Sequence, residues 1–338
     1  MLHLSRSMPP LPGAVLLLAG SLTAAGCGEQ PLAPEELPVA LVTTAGTSYS
    51  AWSTAINVEA IAGTSSLFNT AALEGCPFVS RDGRTLFMAS TRPDGLGGID
   101  IWIATRKSAD DPWGEPVNAG EPINSAYNDF CPTLARDGHT FLFVSNRPGG
   151  CGGADIYTSR YTHGRGFEEP VNLGCDVNSA ADEMSPSPLP NDRGGPVLYF
   201  SSFRAGGFAA DAPGATTGDS DIYLSEWRGG RYGPAQLVAG VNSAADDAQP
   251  NVSGDGLELY FYSTRPGTLG GPDIYVAIRT VGALAWSEPV NLGPAVNTAA
   301  GETRPSLSWD GTTLYFGSPR AGGEGNSDIY VSFRTVVR

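Results

Sequence analysis

The chain is poor in side chains that carry positive charge or bind metals through nitrogen. Its 338 residues include 20 Lys or Arg against 35 Asp or Glu, a net charge of −15, and Lys107 is the only lysine. Such a surface repels phosphate backbones, so no nucleic-acid partner is expected. The three histidines, His3, His139 and His163, are too few for a His-rich metal site and argue against a histidine-centred hydrolase.

Long hydrophobic runs are also scarce, and only one stands out, near the N-terminus. Arg6 precedes a mostly apolar stretch from Leu11 to Ala25, which is too short to span a bilayer comfortably. It ends in Leu22-Thr-Ala-Ala-Gly-Cys27, which resembles the lipobox of bacterial lipoproteins. The resemblance implies a signal peptide over 1–26, a lipid on Cys27 and a flexible tether over 27–49. The alternative is an ordinary secreted protein in which Cys27 is incidental.

Glycine and proline, by contrast, are abundant, with 44 Gly and 27 Pro. They carry no collagen-like period, and 41% of the residues are hydrophobic, which is enough for a packed core. Many turn residues between short apolar runs are typical of an all-β chain.

One sequence unit recurs five times. Its most regular phrase is Asp-Ile followed by an aromatic residue, and the Asp positions are Asp100, Asp155, Asp221, Asp273 and Asp328. A Ser-x-Arg precedes each phrase, an Asp-Gly precedes that in four copies, and a Pro stands before each Asp-Gly. Asp-Gly between apolar runs predicts a tight hairpin. Between copies, an aromatic residue leads to an Asn and then to an acid.

Each copy therefore predicts four short antiparallel strands, a to d, which is the composition of a propeller blade. The last copy stops after strand c, and its missing strand d stands at the front: Trp52-Ser-Thr-Ala-Ile-Asn57 parallels Trp286-Ser-Glu-Pro-Val-Asn291. We predict an all-β, five-bladed β-propeller over 50–338, closed by an N-terminal strand d in the C-terminal blade, with six blades as the alternative. Closure removes sheet edges that would otherwise promote aggregation.

These motifs resemble the WD40-like PD40 repeat found in the propeller domain of TolB and in other bacterial envelope proteins. The resemblance covers nearly all of 50–338. It implies an exported protein of the cell envelope, on the periplasmic side of the outer membrane or at the cell surface. A TolB protein also carries a separate N-terminal α/β domain and usually six blades, and neither is visible in this sequence.

The repeat places charged residues on one face, because the d–a and b–c connections of an antiparallel blade lie on the same side. We expect acids in the d–a loops and arginines at the b–c loops, and take both as candidate binding-face residues: Glu74, Asp129, Glu183, Asp247, Glu302, Arg92, Arg147, Arg204, Arg265 and Arg320. In one interpretation each Arg clasps the carboxylates of its own blade. In the other, the carboxylates line the central channel and bind a cation or a basic peptide.

Two departures from the repeat are further candidates. The segment from Arg to Asp in the b–c loop spans 8 positions in four copies but 17 in the third, and this insertion contributes Phe208 and Asp211 to the binding face. The cysteines after Cys27 fit an oxidising compartment. Predicted pairs are Cys151 with Cys175, whose loops share a face, and Cys76 with Cys131, at equivalent positions of neighbouring a strands; free buried thiols are the alternative.

Three functions remain open at this point. The first is a non-enzymatic, lipid-anchored propeller that binds another envelope protein. The second is a glycan-binding protein or a glycosidase, which would need two carboxylates near the central pocket. The third is a structural protein that binds a cation such as Ca²⁺. The sequence shows no nucleophile elbow and no phosphate loop, so we predict no catalytic residues, no metal site and no other cofactor.

Overall fold

A computed structural model describes residues 43–44, 47–190, 195–208 and 217–337. The expected signal peptide, Cys27 and Asp211 lie outside this part of the chain. Its principal sheets are five antiparallel blades, each built from strands in the order a, b, c, d. This confirms the predicted five-bladed propeller.

The strand bounds follow the repeat. Strands a to d of blade 1 are Glu74–Val79, Thr85–Ser90, Asp100–Thr105 and Val117–Asn118; of blade 2, Asp129–Leu134, Thr140–Ser145, Asp155–Thr162 and Val171–Asn172; of blade 3, Glu183–Leu189, Val197–Arg204, Thr217–Arg228 and Gln236–Leu237; of blade 4, Asp247–Val252, Glu258–Ser263, Asp273–Ile278 and Val290–Asn291; of blade 5, Thr303–Leu307, Thr313–Ser318, Asp328–Phe333 and Ile56–Asn57. Gly166–Phe167 and Arg231–Tyr232 extend the c strands of blades 2 and 3 as short hairpins. The one helix in the described residues is a 3₁₀ turn, Val58–Ala60.

The ring closes as the sequence predicts. Ile56 pairs with Val331 and Asn57 with Tyr330, so the N-terminal segment supplies strand d of blade 5. The ordered fold nevertheless begins before residue 50. Thr43–Thr44 and Thr47–Tyr49 form a small sheet with Val336–Val337, and Tyr49 is buried. The end of the segment expected to be a flexible tether is therefore part of the folded structure.

The hydrophobic core lies between neighbouring blades and draws mainly on strands b and c. Phenylalanine rings fill the same strand-b position in blades 2 to 5, where blade 1 has Met88, and all five side chains are fully buried: Met88, Phe143, Phe200, Phe261 and Phe316. Burying each such ring is worth about 1.5–3 kcal/mol. No helix in the described residues is long and apolar enough to cross a membrane.

Strand register aligns the repeated polar residues in a row at the face of the ring that carries the d–a and b–c connections, which we call the polar face. In blade 1, Glu74 at the start of strand a faces Ser90 at the end of strand b, and Ser90 faces Asp100 at the start of strand c. Every strand a also contains a register shift just after its start. Such bulges leave an extra residue unpaired and redirect its side chain.

Candidate functional site: the polar face and the central channel

The five repeated acids are completely buried. The expectation that the acids lie in the d–a loops holds for Glu302, which directly precedes its strand a. It differs by one residue for the other four, which are the first residues of their a strands: Glu74, Asp129, Glu183 and Asp247. All five are 0% exposed. The interpretation in which these carboxylates line an open channel is therefore not what the structure shows.

Blade 5 illustrates how each acid is held. Glu302 Oε1 accepts hydrogen bonds from Arg320 Nη2 at 3.0 Å, from Ser318 Oγ at 2.8 Å and from Thr298 Oγ1 at 2.7 Å, while Oε2 accepts from Thr298 N at 2.7 Å. The carboxylate is thus surrounded by donors from the d–a connection, the end of strand b and the b–c connection. Hydrogen bonds to a charged acceptor contribute about 1.5–3 kcal/mol each.

The arginines are as fully engaged as the acids. Arg320 Nε donates to Ser318 Oγ, Nη2 also donates to the Val296 carbonyl, and the guanidinium lies 5.1 Å from the ring centre of Phe316 and 4.6 Å from that of Tyr330. The same acid–arginine pair forms in each blade, and the side chains of these arginines are 7–20% exposed. The clasp interpretation matches this geometry, and these ten side chains offer little for a ligand to contact.

Burial affects the clasp acid of blade 3, Glu183, even though it is paired. Burial raises the pKa of Glu183, and hydrogen bonds from Ser179 and Ser202 together with Arg204 oppose that rise. The raised pKa means that burial disfavours the charged carboxylate. This is consistent with a structural role for Glu183 away from solvent.

A second set of carboxylates fixes the b–c loops. Asp273 Oδ2 accepts from the Leu269 N–H at 2.8 Å and from Asn291 Nδ2 at 2.7 Å. The Asp at the start of every c strand accepts a loop N–H in the same way; the donors are Leu96, Cys151, Phe208, Leu269 and Glu324. These loops also pack tightly, since a Cβ at Gly97 would lie 1.8 Å from the Tyr127 carbonyl oxygen. These contacts fix the described parts of the loops on this face.

Large apolar side chains stay exposed on the same face. Three of them belong to residues whose backbone N–H binds the strand-c Asp: Leu96, Phe208 and Leu269, which are 48%, 57% and 48% exposed. Two more lie in the d–a connections: Leu67 and Tyr127, which are 51% and 44% exposed. We call these five the apolar face residues. Phe208 was a candidate from the sequence. Leu67, Leu96 and Leu269 were missed, although Leu96 and Leu269 stand four residues after the repeated Arg and could have been found by aligning the copies.

The residue two positions after each acid lines the central channel. These residues are Cys76, Cys131, Ser185, Gln249 and Arg304, and all five have positive φ, between 47° and 59°. The bulge in strand a imposes this conformation and turns the residue toward the axis. The residue type at this position differs among most blades, whereas the acid two residues before it and the Pro directly after it are present in every blade.

Both predicted cysteine pairs are present. Cys76 and Cys131 join blades 1 and 2 beside the channel, and Cys151 and Cys175 join two connections on the polar face. The Cys76–Cys131 disulfide narrows the channel, and the cavity beside it has a volume of about 30 Å³. A cavity of this size holds about two water molecules and is too small for a sugar ring.

The sequence analysis missed a second type of clasp on the opposite face. Arg106, Arg279 and Arg334 stand six residues after the strand-c Asp, and each Nε donates to the carbonyl of the a–b turn glycine. Each guanidinium also lies over a Trp ring at 4.0–4.6 Å. Within the described residues, no group of three or more His, Cys, Asp or Glu side chains could hold a metal ion.

Comparison with known proteins supports the fold. No protein-family model matches the sequence, and a search of curated proteins finds no match. A thermostable family-43 glycoside hydrolase is 12% identical with a TM-score of 0.54, over 81% of this chain and 93% of that one. The α-L-arabinofuranosidase of Podospora anserina, solved with cellotriose, is 12% identical with a TM-score of 0.51, over 84% and 97%.

A TolB structure from Acinetobacter baumannii is 15% identical with a TM-score of 0.46. The alignment covers 78% of this chain and 54% of that one, so this chain matches about half of the TolB length. At such identities, structural similarity shows a shared propeller architecture and not a shared activity.

Proposed function

We propose that this protein is a non-enzymatic lipoprotein of the bacterial envelope, anchored through Cys27, whose propeller binds another envelope protein. The observation that supports this proposal most directly is the composition of the polar face. Its repeated acids and arginines pair with one another inside each blade, whereas the apolar face residues remain exposed on the connecting loops. Exposed apolar groups on one surface are typical of protein-binding sites.

The energetics favour such a surface as an interface. Burying one Leu or Phe side chain against a partner is worth about 1.5–3 kcal/mol. Because Asp273 already holds the b–c loop of blade 4 through a backbone hydrogen bond, binding there would cost little entropy for ordering that loop. The net charge of −15 would favour a partner with a basic rim.

Site-specific photo-crosslinking in living cells tests the partner. A photoreactive amino acid at Leu96 or Leu269 is expected to capture one and the same envelope protein. The matched control is Leu284, which is 89% exposed in the c–d connection of blade 4, on the opposite face. Equal capture from Leu284, or no capture from the polar face, would contradict the proposal.

Lipid anchoring is tested separately. In membrane fractionation of cells expressing the full chain, the wild type is expected in the membrane pellet, and mass spectrometry is expected to find a diacylated N-terminal Cys27. The Cys27→Ala variant should appear in the soluble fraction. A wild-type protein that is soluble and unacylated would refute the anchor but leave the binding proposal intact.

A glycosidase is the alternative that the propeller architecture keeps open. Glycoside hydrolysis requires a pair of carboxyl groups that reach the substrate, yet the five repeated acids are 0% exposed. The full chain assayed on arabinan, xylan and cellulose oligosaccharides is therefore expected to release no sugar. Release above background would make the protein an enzyme. A chelator or added Ca²⁺ is likewise expected to leave the unfolding temperature unchanged, and a shift would favour the cation-binding alternative.

A further inference from the structure

Two hydrogen-bond donors in the central channel have no acceptor. Arg304 lines the channel cavity, yet within the described residues no carboxylate lies within ion-pair distance of its guanidinium, and its side chain donates no hydrogen bond. The clasp arginines, by contrast, have a carboxylate, a hydroxyl and a carbonyl each. Burial lowers the pKa of Arg304, which is opposed only by the nearby Tyr262. Desolvating a cation without a counter-charge is costly.

The second donor is the side-chain amide of Gln249, in the neighbouring blade. Gln249 is 6% exposed, and its Oε1 accepts the Arg304 backbone N–H at 3.0 Å. This bond assigns the amide orientation and leaves Nε2 as a donor, for which the described residues provide no partner. Gln249 and Arg304 line the same cavity. Arg304 is partly exposed, and neither its nitrogens nor Gln249 Nε2 is among the fully buried side-chain atoms without a partner, so both donors are accessible to a group in the channel.

The shape of the cavity limits what this acceptor can be. Its volume of about 30 Å³ is enough for two water-sized groups, and it lies at the end of the channel where the a strands begin. A carboxylate group has two oxygens and fits this space, whereas a sugar ring does not. A guanidinium and an amide also match a carboxylate in geometry, because the guanidinium can donate to it through parallel N–H groups.

We propose that the central channel holds a carboxylate-binding site, in which Arg304 and Gln249 donate to a carboxylate group that enters from the polar face. The inference is independent of the proposed protein partner. The carboxylate could belong to a small free acid or to a peptide, because Arg304 and Gln249 would donate to either carboxylate in the same way.

The probes are sodium acetate, N-acetylglycine and N-acetylglycinamide, added to the full chain at constant ionic strength with NaCl as the reference. Thermal unfolding and ligand-observed NMR measure binding. Acetate should raise the unfolding temperature more than NaCl does. N-acetylglycine should bind and its amide should not; binding of acetate alone would restrict the site to small free acids.

Three variants assign the effect to the site. Arg304→Gln is expected to weaken acetate binding about tenfold or more, since it removes a charged donor. Arg136→Gln makes the same change of charge at an exposed arginine and should bind acetate as the wild type does. Gln249→Glu keeps an oxygen for the Arg304 N–H and places a negative charge in the cavity that Arg304 lines. It should unfold at a higher temperature than the wild type and no longer respond to acetate.

The outcomes are distinct. Loss of the acetate response in Arg304→Gln and Gln249→Glu, with the response kept in Arg136→Gln, supports the site. An equal acetate response in the wild type and all three variants, or no response in the wild type, overturns the proposal and leaves the cavity to water. Neither result affects the crosslinking test, so the carboxylate site and the protein-binding face can be refuted independently of each other.

Discussion

Removing one partner of the most buried ion pair should destabilise the propeller strongly. Arg334 in blade 5 binds Glu258 in blade 4 through two contacts, Nη2 to Oε2 at 2.6 Å and Nη1 to Oε1 at 2.9 Å. The two side chains are only 1% and 3% exposed. Arg334→Met preserves most of the side-chain length but leaves Glu258 as a buried charge without a counter-charge, with only the Tyr260 hydroxyl as a donor.

The expected cost is about 3–5 kcal/mol, the range for breaking a buried pair by removing one ion. Loss of the guanidinium contact with the Tyr49 ring, at 3.7 Å, adds to this. The double variant Arg334→Met/Glu258→Leu removes both charges and should recover a large part of the loss, because no charge then remains unpaired.

Equilibrium unfolding in urea measures these free energies. The control is Arg84→Met, which breaks the Arg84–Asp82 pair, whose side chains are 55% and 49% exposed. It should cost less than about 1 kcal/mol. The reasoning is refuted if Arg334→Met costs no more than Arg84→Met, or if the double variant is as unstable as the sum of its single variants.

Three further perturbations probe the repeat. Burial raises the pKa of Asp310, but hydrogen bonds from serine and threonine outweigh it and lower the pKa below 3.8. Its stabilising contribution is thus present above that value and lost as the pH falls, so Asp310→Asn should lose less stability than the wild type between about pH 5 and 2 in acid titrations. Asn297→Ala leaves the Ile274 backbone N–H without its partner and removes one of the two hydrogen bonds to the Ile274 carbonyl, the other being donated by the Leu292 N–H. It should cost about 1–3 kcal/mol in urea unfolding, and no measurable loss would contradict this. Replacing Cys151 and Cys175 by Ala opens a 24-residue separation and should cost about 3 kcal/mol, whereas unchanged stability would show that the bridge contributes nothing.

The sequence predicted the blades because each copy contains short-range signals for its own turns and strands. Asp-Gly turns, an apolar strand b and a fixed Asp at the start of strand c specify hairpins that need no information from distant residues. Even the closure was visible, since Trp52–Asn57 repeats the pattern around Trp286. The third turn departs from the rule, and its central residues lie outside the described part of the chain.

Side-chain burial could not be predicted in the same way. The sequence placed Glu74 and its equivalents on the correct face, but their depth depends on a register that aligns Glu74 with Ser90 and Asp100. The channel-lining role of Gln249 and Arg304 depends on a bulge, which has no short-range signature in the strand. The Arg334–Glu258 pair joins residues 76 positions apart in different blades and follows only from the packing of the ring.

The way the ring closes also bears on how the protein folds. Blades 1 to 4 each draw their strands from one continuous stretch, but strand d of blade 5 comes from the other end of the described chain, and the Ser50 N–H donates to the Thr335 carbonyl at 2.9 Å. Local hairpins form faster than contacts between distant residues, so closure should be the slow step. A circular permutant that moves 43–57 behind Val337 would make that contact local. It should refold faster while unfolding at nearly the same urea concentration, because it preserves the native contacts.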